Sequence, residues 1–304
     1  MENVYEDIRQ MIGNTPILKI SHMGIKPGVN IYAKLELMNP AGSVKDRVGV
    51  YMIDDAVRKG ILKPGGTIVD ATAGNTGIGI AIAALNQGFR VIFTVPEKFS
   101  IEKQKVMKAL GAELIHTPRE DGMLGAENLA EEILKTIPGA VSLRQFRNPA
   151  NPLAHYETTG PEIYRQMDGK IDYFVAGAGS GGTFSGVVKY LKEQDSGITG
   201  VLADPYGSTI GGGEHHDYNI EGIGNDFIAD TMDITLVDKV IKISDDDAFT
   251  ASRELAKHEG ILAGSSSGAA LAAAIKLSDE IDEGNIVTVF PDRGDRYLSK
   301  GLYD

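Results

Sequence analysis

Three short glycine-rich segments constrain this chain of 304 residues more than anything else in it: 70–77 (DATAGNTG), 176–183 (AGAGSGGT) and 263–268 (AGSSSG). Each reads as a loop that leaves a strand and opens a helix, which is where parallel sheets present ligand sites. The flanking pattern agrees, because short β-branched runs alternate with longer stretches of helical spacing and so predict an α/β fold with parallel sheet. Strands are expected at 31–35, 67–70, 91–95, 113–116, 173–176, 200–204 and 286–290. Helices are expected at 44–59, 76–87, 101–110, 123–137, 158–167, 183–194, 247–258 and 269–279, two of them closed by Gly88 and Gly111. The Asn- and Pro-dense stretch 145–152 (QFRNPANP) reads as a crossing between two domains, and 211–218 (GGGEHHDY) as a flexible loop.

The strongest candidate anion site is 176–183. Closely spaced glycines let several backbone N–H groups converge on one anion, the helix that follows adds its positive end, and Ser180 and Thr183 add hydroxyl donors. A local device of this kind is needed, because a net charge of −12 repels polyanions over most of the surface and argues against a nucleic-acid partner. The absence of cysteine excludes disulfides, Cys-ligated zinc and a cysteine nucleophile together. No apolar run approaches the roughly 18 residues that cross a bilayer. The acidic start, MENVYEDIRQ, lacks a signal pattern, so no membrane association is expected and the cytoplasm is the expected compartment.

Other chemistries compete at each position. Gly177, Gly179 and Gly182 form a literal GxGxxG with Asp204 about twenty residues on, the spacing of a dinucleotide-binding oxidoreductase, although it lies past mid-chain rather than on a first strand. Segment 70–77 reads equally as a plain helix cap, while Asn75 offers both a donor and an acceptor. One serine of 263–268 is expected to cap the alanine-rich helix that follows. Lys45, in 39–47 (NPAGSVKDR), sits near the start of a helix whose positive end favours the neutral amine, which suits a Schiff-base nucleophile. Taken alone, a helical lysine beside Asp46 and Arg47 reads as a solvated charge. Glu214, His215, His216 and Asp217 lie together, but adjacent histidines in a glycine loop need more distant co-ligands, and no metal is expected.

Read together, IGNTP (12–16), NPAGSVKDR (39–47), TAGNTG (72–77), QFRNPANPLAHYETTGPEI (145–163), AGAGSGGT (176–183), EGIGNDFI (221–228), GSSSGAA (264–270) and FPDRGDRYLSK (290–300) form an ordered set. The set resembles the cysteine synthase and cystathionine β-synthase family of fold-type II pyridoxal-phosphate (PLP) enzymes, over nearly the whole chain. The resemblance implies a fold like the tryptophan synthase β-subunit: two three-layer αβα domains with mainly parallel sheets and the cofactor between them. The smaller, mobile domain would be 39–147 with 1–12, carrying Lys45 and the Asn75 loop. The larger would be 13–38 with 148–304, carrying the phosphate loop and Ser266. Lys45 would hold the cofactor and later shuttle the α-proton, and Asn75 would hydrogen-bond the ring hydroxyl. Gly179, Ser180, Gly181, Gly182 and Thr183 would hold the phosphate, and Ser266 would face the pyridine nitrogen. Thr72, Ala73, Gly74, Asn75 and Thr76 would close on the substrate carboxylate with Gln145.

The implied reaction is β-replacement on O-acetyl-L-serine or L-serine through an aminoacrylate intermediate. A serine hydroxyl at the pyridine nitrogen makes the cofactor a weaker electron sink than a carboxylate would, which favours loss of a β-leaving group over transamination. Within the family, DPYGS (204–208), YNIEGIGNDF (218–227), NPLAHYET (151–158) and ISDDDAFT (243–250) look like the catalytic core of cystathionine β-synthase. TAGNTG, GSSSGAA and RYLSK in combination resemble most the bacterial O-acetylserine-dependent cystathionine β-synthases. Ala73 replaces the serine usual in cysteine synthases, and Asn225 stands where animal synthases carry tyrosine. The expected nucleophile is therefore L-homocysteine, giving L-cystathionine, with sulfide giving L-cysteine as a second activity. Glu221, with Gly222 beside it, is the candidate contact for the homocysteine amino group. A homodimer is implied. Cysteine synthases can also dock serine acetyltransferase, a partner the cystathionine-like segments argue against.

Overall fold

The computed structural model describes residues 4–97 and 99–304. In chain order its elements begin with β1 (Ile17–Ile20), β2 (Val29–Lys34), α1 (Lys45–Arg58), β3 (Thr67–Ala71), α2 (Asn75–Ala84), β4 (Arg90–Pro96), α3 (Ile101–Ala109), β5 (Glu113–Thr117) and α4 (Gly122–Thr136). They continue with α5 (Ala150–Ala154), α6 (Gly160–Gln166), β6 (Tyr173–Gly177), α7 (Gly182–Gln194), β7 (Thr199–Pro205), β8 (Lys239–Ile243), α8 (Asp245–Glu259), α9 (Ser265–Glu280) and β9 (Gly284–Val289). The chain divides into two compact units, Met1–Ile12 with Lys45–Ala150 and Gly13–Val44 with Asn151–Asp304.

In the unit of 13–44 and 151–304 the described strands form one sheet in the order β1-β2-β9-β6-β7-β8, parallel except for the antiparallel β1–β2 pair. Its inner strands carry nearly unbroken apolar runs, as strands covered on both faces do. Val175, Val201 and Ile286 pack with α8 and α9 through Leu255, Ala269 and Leu277, while Phe174, Leu202 and Val287 pack with α7 through Phe184, Val187 and Leu191. The alanines of α9 let it lie close to the sheet. Helix α8 is specified locally by a capping box between Ser244 and Asp247 and by a left-handed Gly260 at its end.

In the unit of 45–150 the described strands form a parallel sheet in the order β3-β4-β5, and the extended segment at Val141 pairs alongside β3. Helix α4 covers Val69 and Ile92 with Ala130, Ile133 and Leu134. Helix α2, NTGIGIAIAA, is buried from Thr76 to Ala84, as an all-apolar helix must be.

Several sequence expectations are revised. Residues 39–44 belong with 13–38, because Val44 N donates to Pro291 O at 2.8 Å and Ser43 pairs with Asp292. The helix expected at 158 begins at Ala150 and runs through a π-helical turn over His155–Thr159. Pro152 falls in its first turn, where its missing N–H leaves no bond unmade. Strands β1 and β8 escaped because their lysines, ILKI and KVIKI, break the apolar run on what prove to be edge strands. Segment 263–268 follows the loop after α8 rather than a strand, and the cap of α9 is Gly264, without a side-chain cap from any serine. Among the described residues no helix is long and apolar enough to cross a membrane.

Candidate active site

Strand β6 ends at Gly177 and α7 begins at Gly182, so the turn between them is made of small residues. Its carbonyls are taken up from one side: Ala178 O accepts from Gly224 N at 2.7 Å, Gly179 O from Asn225 Nδ2 at 2.7 Å and Ser180 O from Thr231 Oγ1 at 2.6 Å. No side chain caps α7. With the carbonyls committed to 224–231, the N–H groups at the helix start are left to meet a ligand. The backbone here leaves no room for side chains. A Cβ on Gly179 would stand 2.4 Å from Gly222 O, and on Gly181, at φ +79°, 2.4 Å from Met232 Cβ.

Ser265, Ser266 and Ser267 open α9 and are all buried. Ser265 Oγ accepts from Glu221 N at 3.0 Å, which ties 221–222 to the start of this helix. The Glu221 carboxylate pairs with Lys300 Nζ. The chain's last segment braces the same region, with Tyr297 OH donating to Asp292 Oδ2 and Tyr303 OH to Ala263 O at 2.6 Å. Burial, and then the Asp292 carboxylate, push the Tyr297 phenol well above its ordinary range, so it stays a donor.

In the other unit, Lys45 is the first residue of α1. Its backbone position is set by a crossing of two glycines: a Cβ on Gly79 would stand 2.2 Å from Lys45 O, and one on Gly49 2.1 Å from Gly79 O. Asp46 and Arg47 are buried, so this is not the solvated charge cluster that the sequence alone suggests. Asn75 and Thr76 open α2 after the extended Gly74, and Thr72 Oγ1 accepts from Gly77 N at 3.2 Å. The Thr76 hydroxyl donates to Gln145 Oε1. The segment before Gln145 is held by Asp70, whose carboxylate accepts from Ser142 Oγ at 2.6 Å and Leu143 N at 3.1 Å. Burial pushes the Asp70 carboxyl up to about 6 against the pull of those hydrogen bonds.

Thr72, Ala73, Gly74, Asn75, Thr76, Gln145 and Lys45 thus stand in one unit, and Gly179–Thr183, Glu221, Gly222 and Ser266 in the other. Sequence reasoning missed Asp70, Asn151, His155 and Thr231, and it read Asn225 only as a departure from a family pattern. Only Asp70, a carboxylate ending an apolar strand, carried a local signal. Asp204 accepts from Lys242 Nζ at 2.5 Å and Gly211 N at 3.0 Å, which occupies the acidic group a dinucleotide ribose would need. Among the described residues no group of His, Asp and Glu is placed to share a metal ion.

Comparison with known proteins converges on one family. The pyridoxal-phosphate dependent enzyme family matches residues 8–292. The chain is 50% identical over 302 residues to the O-acetylserine dependent cystathionine β-synthase of Bacillus subtilis, covering 99% of this chain and 98% of that one. It is 46% identical over 299 residues to a cysteine synthase of Helicobacter pylori, covering 97% and 98%. A crystal structure of the O-acetylserine dependent cystathionine β-synthase from Helicobacter pylori superposes with a TM-score of 0.94 at 44% identity, covering 99% of both chains. The residues present fit such a cofactor: a glycine cup with uncapped amides suits a phosphate monoester, and the buried Ser266 offers a neutral hydroxyl. The chain belongs to the pyridoxal-phosphate dependent enzymes.

Proposed function

We propose that this enzyme catalyses β-replacement on O-acetyl-L-serine, or L-serine, joining L-homocysteine to give L-cystathionine and sulfide to give L-cysteine. The observation that carries the reading is the 179–183 turn, whose carbonyls are all engaged by 224–231 while α7 is left uncapped. The relatives from Bacillus subtilis and Helicobacter pylori support the substrate class. When bound, PLP supplies an electron sink that acidifies the α-carbon and lets the β-substituent depart.

The chain's own residues would do the rest. Lys45 Nζ links the cofactor, then takes the α-proton and returns it after the nucleophile adds, a role worth about 10²–10⁴-fold for a positioned base. Gly179, Ser180, Gly181, Gly182 and Thr183 hold the phosphate, Asn75 the ring hydroxyl, and Ser266 the ring nitrogen as a neutral partner. The amides of Thr72–Thr76 and the Gln145 amide orient the substrate carboxylate. Glu221, beside Gly222, meets the homocysteine ammonium. The active form is a homodimer.

Mixing the purified protein with O-acetylserine and either homocysteine or sulfide, and identifying products by mass spectrometry, tests the assignment. Both thioether and thiol products are expected, with an absorption band in the visible that borohydride abolishes. Failure to form either product would end the reading, as would Lys45→Ala with unchanged colour and turnover.

A further inference from the structure

The stretch from Ala150 to Gln166, with its π-helical turn at His155–Thr159, lies against the first turns of α7. Two glycines of α7 allow the close approach. A Cβ on Gly182 would stand 2.1 Å from Asn151 Oδ1, and one on Gly186 would stand 2.2 Å from Pro152 O and 2.7 Å from His155 Cβ. Asn151 and His155, four residues apart, therefore face Gly182 and Gly186, also four apart. Both side chains reach the hydroxyls of the glycine turn. Asn151 Nδ2 donates to Ser180 Oγ at 2.9 Å, and His155 Nε2 lies 3.2 Å from Thr183 Oγ1. On the far side of the ring, His155 Nδ1 lies 2.9 Å from Thr159 Oγ1. Asn151 is 1% exposed, and His155 and Thr159 are 0% exposed.

A hydroxyl carries one hydrogen and two lone pairs. When it accepts from a fixed N–H, its own hydrogen is turned away from that donor. We propose that Asn151 and His155 are positioning residues for the cofactor phosphate, holding Ser180 and Thr183 as hydrogen-bond donors. The proposal rests on the reading of 179–183 as the phosphate loop. The Thr159 hydroxyl donates to Nδ1, Nε2–H donates to Thr183 Oγ1, and the Thr183 hydrogen goes to the anion. Asn151 does the same for Ser180. The direction of each hydroxyl matters because 176–183 contains no lysine or arginine, so neutral donors alone must hold the phosphate there.

The test titrates full-length apoprotein with pyridoxal phosphate and, in parallel, with pyridoxal, which has no phosphate. His155→Leu and Asn151→Leu should each weaken pyridoxal phosphate binding about tenfold and leave pyridoxal binding unchanged. His155→Gln, which keeps an N–H donor, should restore most of the loss. In a Thr183→Val background His155→Leu should cost nothing further, and likewise Asn151→Leu in Ser180→Ala. Equal losses for the two ligands, or additive losses in the double variants, would overturn the proposal and leave only a packing role. Should the leucine variants not fold, ¹⁵N spectra of the His155 ring in the holoenzyme decide: a proton on Nε2 supports it, and a proton on Nδ1 alone overturns it. If Thr183→Val and Ser180→Ala themselves leave pyridoxal phosphate binding intact, the phosphate-loop reading fails first, and the proposal with it.

Discussion

Asp70 anchors the turn that carries Gln145. The carboxylate at the end of β3 accepts from Ser142 Oγ, Leu143 N and Arg144 N, at 2.6, 3.1 and 3.4 Å, and Gln145 follows directly to receive the Thr76 hydroxyl. Arg144 adopts a left-handed φ of 50° to make this turn. A buried acid therefore sits one step behind the proposed substrate-carboxylate site.

That acid makes a pH prediction. Burial raises the Asp70 carboxyl from 3.8 to about 6, so the folded chain binds this proton more readily than the unfolded chain. The resulting stability is fully present below about pH 4 and is lost as pH rises through 6, by roughly 3 kcal/mol. In Asp70→Asn the group no longer titrates. Urea unfolding between pH 4 and 6.5 should show the parent losing stability relative to the variant; parallel curves would locate the titration elsewhere. The variant should also raise KM for the amino-acid substrate, because Gln145 loses its anchor.

The crossing of α1 and α2 gives a second prediction. Gly79→Ala would place a Cβ 2.2 Å from Lys45 O, against backbone that cannot rotate away. The helices must separate, at a cost of about 1–3 kcal/mol for overpacking, and Lys45 must move with its backbone. The visible cofactor band should weaken more than far-ultraviolet dichroism does. A variant with an unaltered band would mean that the helices yield without displacing Lys45.

How much of this was legible follows from where each signal resides. The 179–183 turn is readable because its glycines, hydroxyls and helix start are contiguous, and Lys45 is readable from NPAGSVKDR as a family pattern. The layer behind them is not. Asn151 and His155 lie some thirty residues from the hydroxyls they reach, and in sequence Asn151 sits between two prolines of an apparent loop. The serines of 265–267 suggest a cap, yet Gly264 takes that place and frees them for other contacts. Edge strands β1 and β8 carry too few apolar residues to stand out, and their pairing depends on neighbours distant in the chain.

A third prediction concerns stability away from the site. Lys34 Nζ, fully buried on β2, donates to Thr15 O at 2.6 Å, Glu162 Oε2 at 2.7 Å and Gln166 Oε1 at 2.9 Å. Glu162 Oε1 accepts from Asn14 N at 2.9 Å, so the network pins the left-handed turn at Gly13–Asn14. Lys34→Met removes the cation and strands a carboxylate, which costs about 3–5 kcal/mol. The double variant Lys34→Met with Glu162→Gln should recover part of that loss in urea unfolding. If the single and double variants are equally stable, no uncompensated charge was left behind.

The final prediction separates the two nucleophiles. Homocysteine brings an ammonium group to the site and sulfide brings none, so a carboxylate that recognises the ammonium should matter to one reaction only. Glu221 is held for that task by its backbone, whose N–H donates to Ser265 Oγ, and its carboxylate, about one-quarter exposed, pairs with Lys300. An exposed pair of this kind adds little stability, so its loss should not disturb folding. Glu221→Gln should lower kcat/KM for homocysteine about tenfold, the value of one charge-assisted hydrogen bond, with the sulfide reaction changed by less than about twofold. Lys300→Met frees the carboxylate from its competitor and should lower KM for homocysteine, again without effect on sulfide. If both substitutions alter both reactions in proportion, the Glu221–Lys300 pair is a brace for the Ser265–Ser267 turn, and the choice of nucleophile is made by other residues.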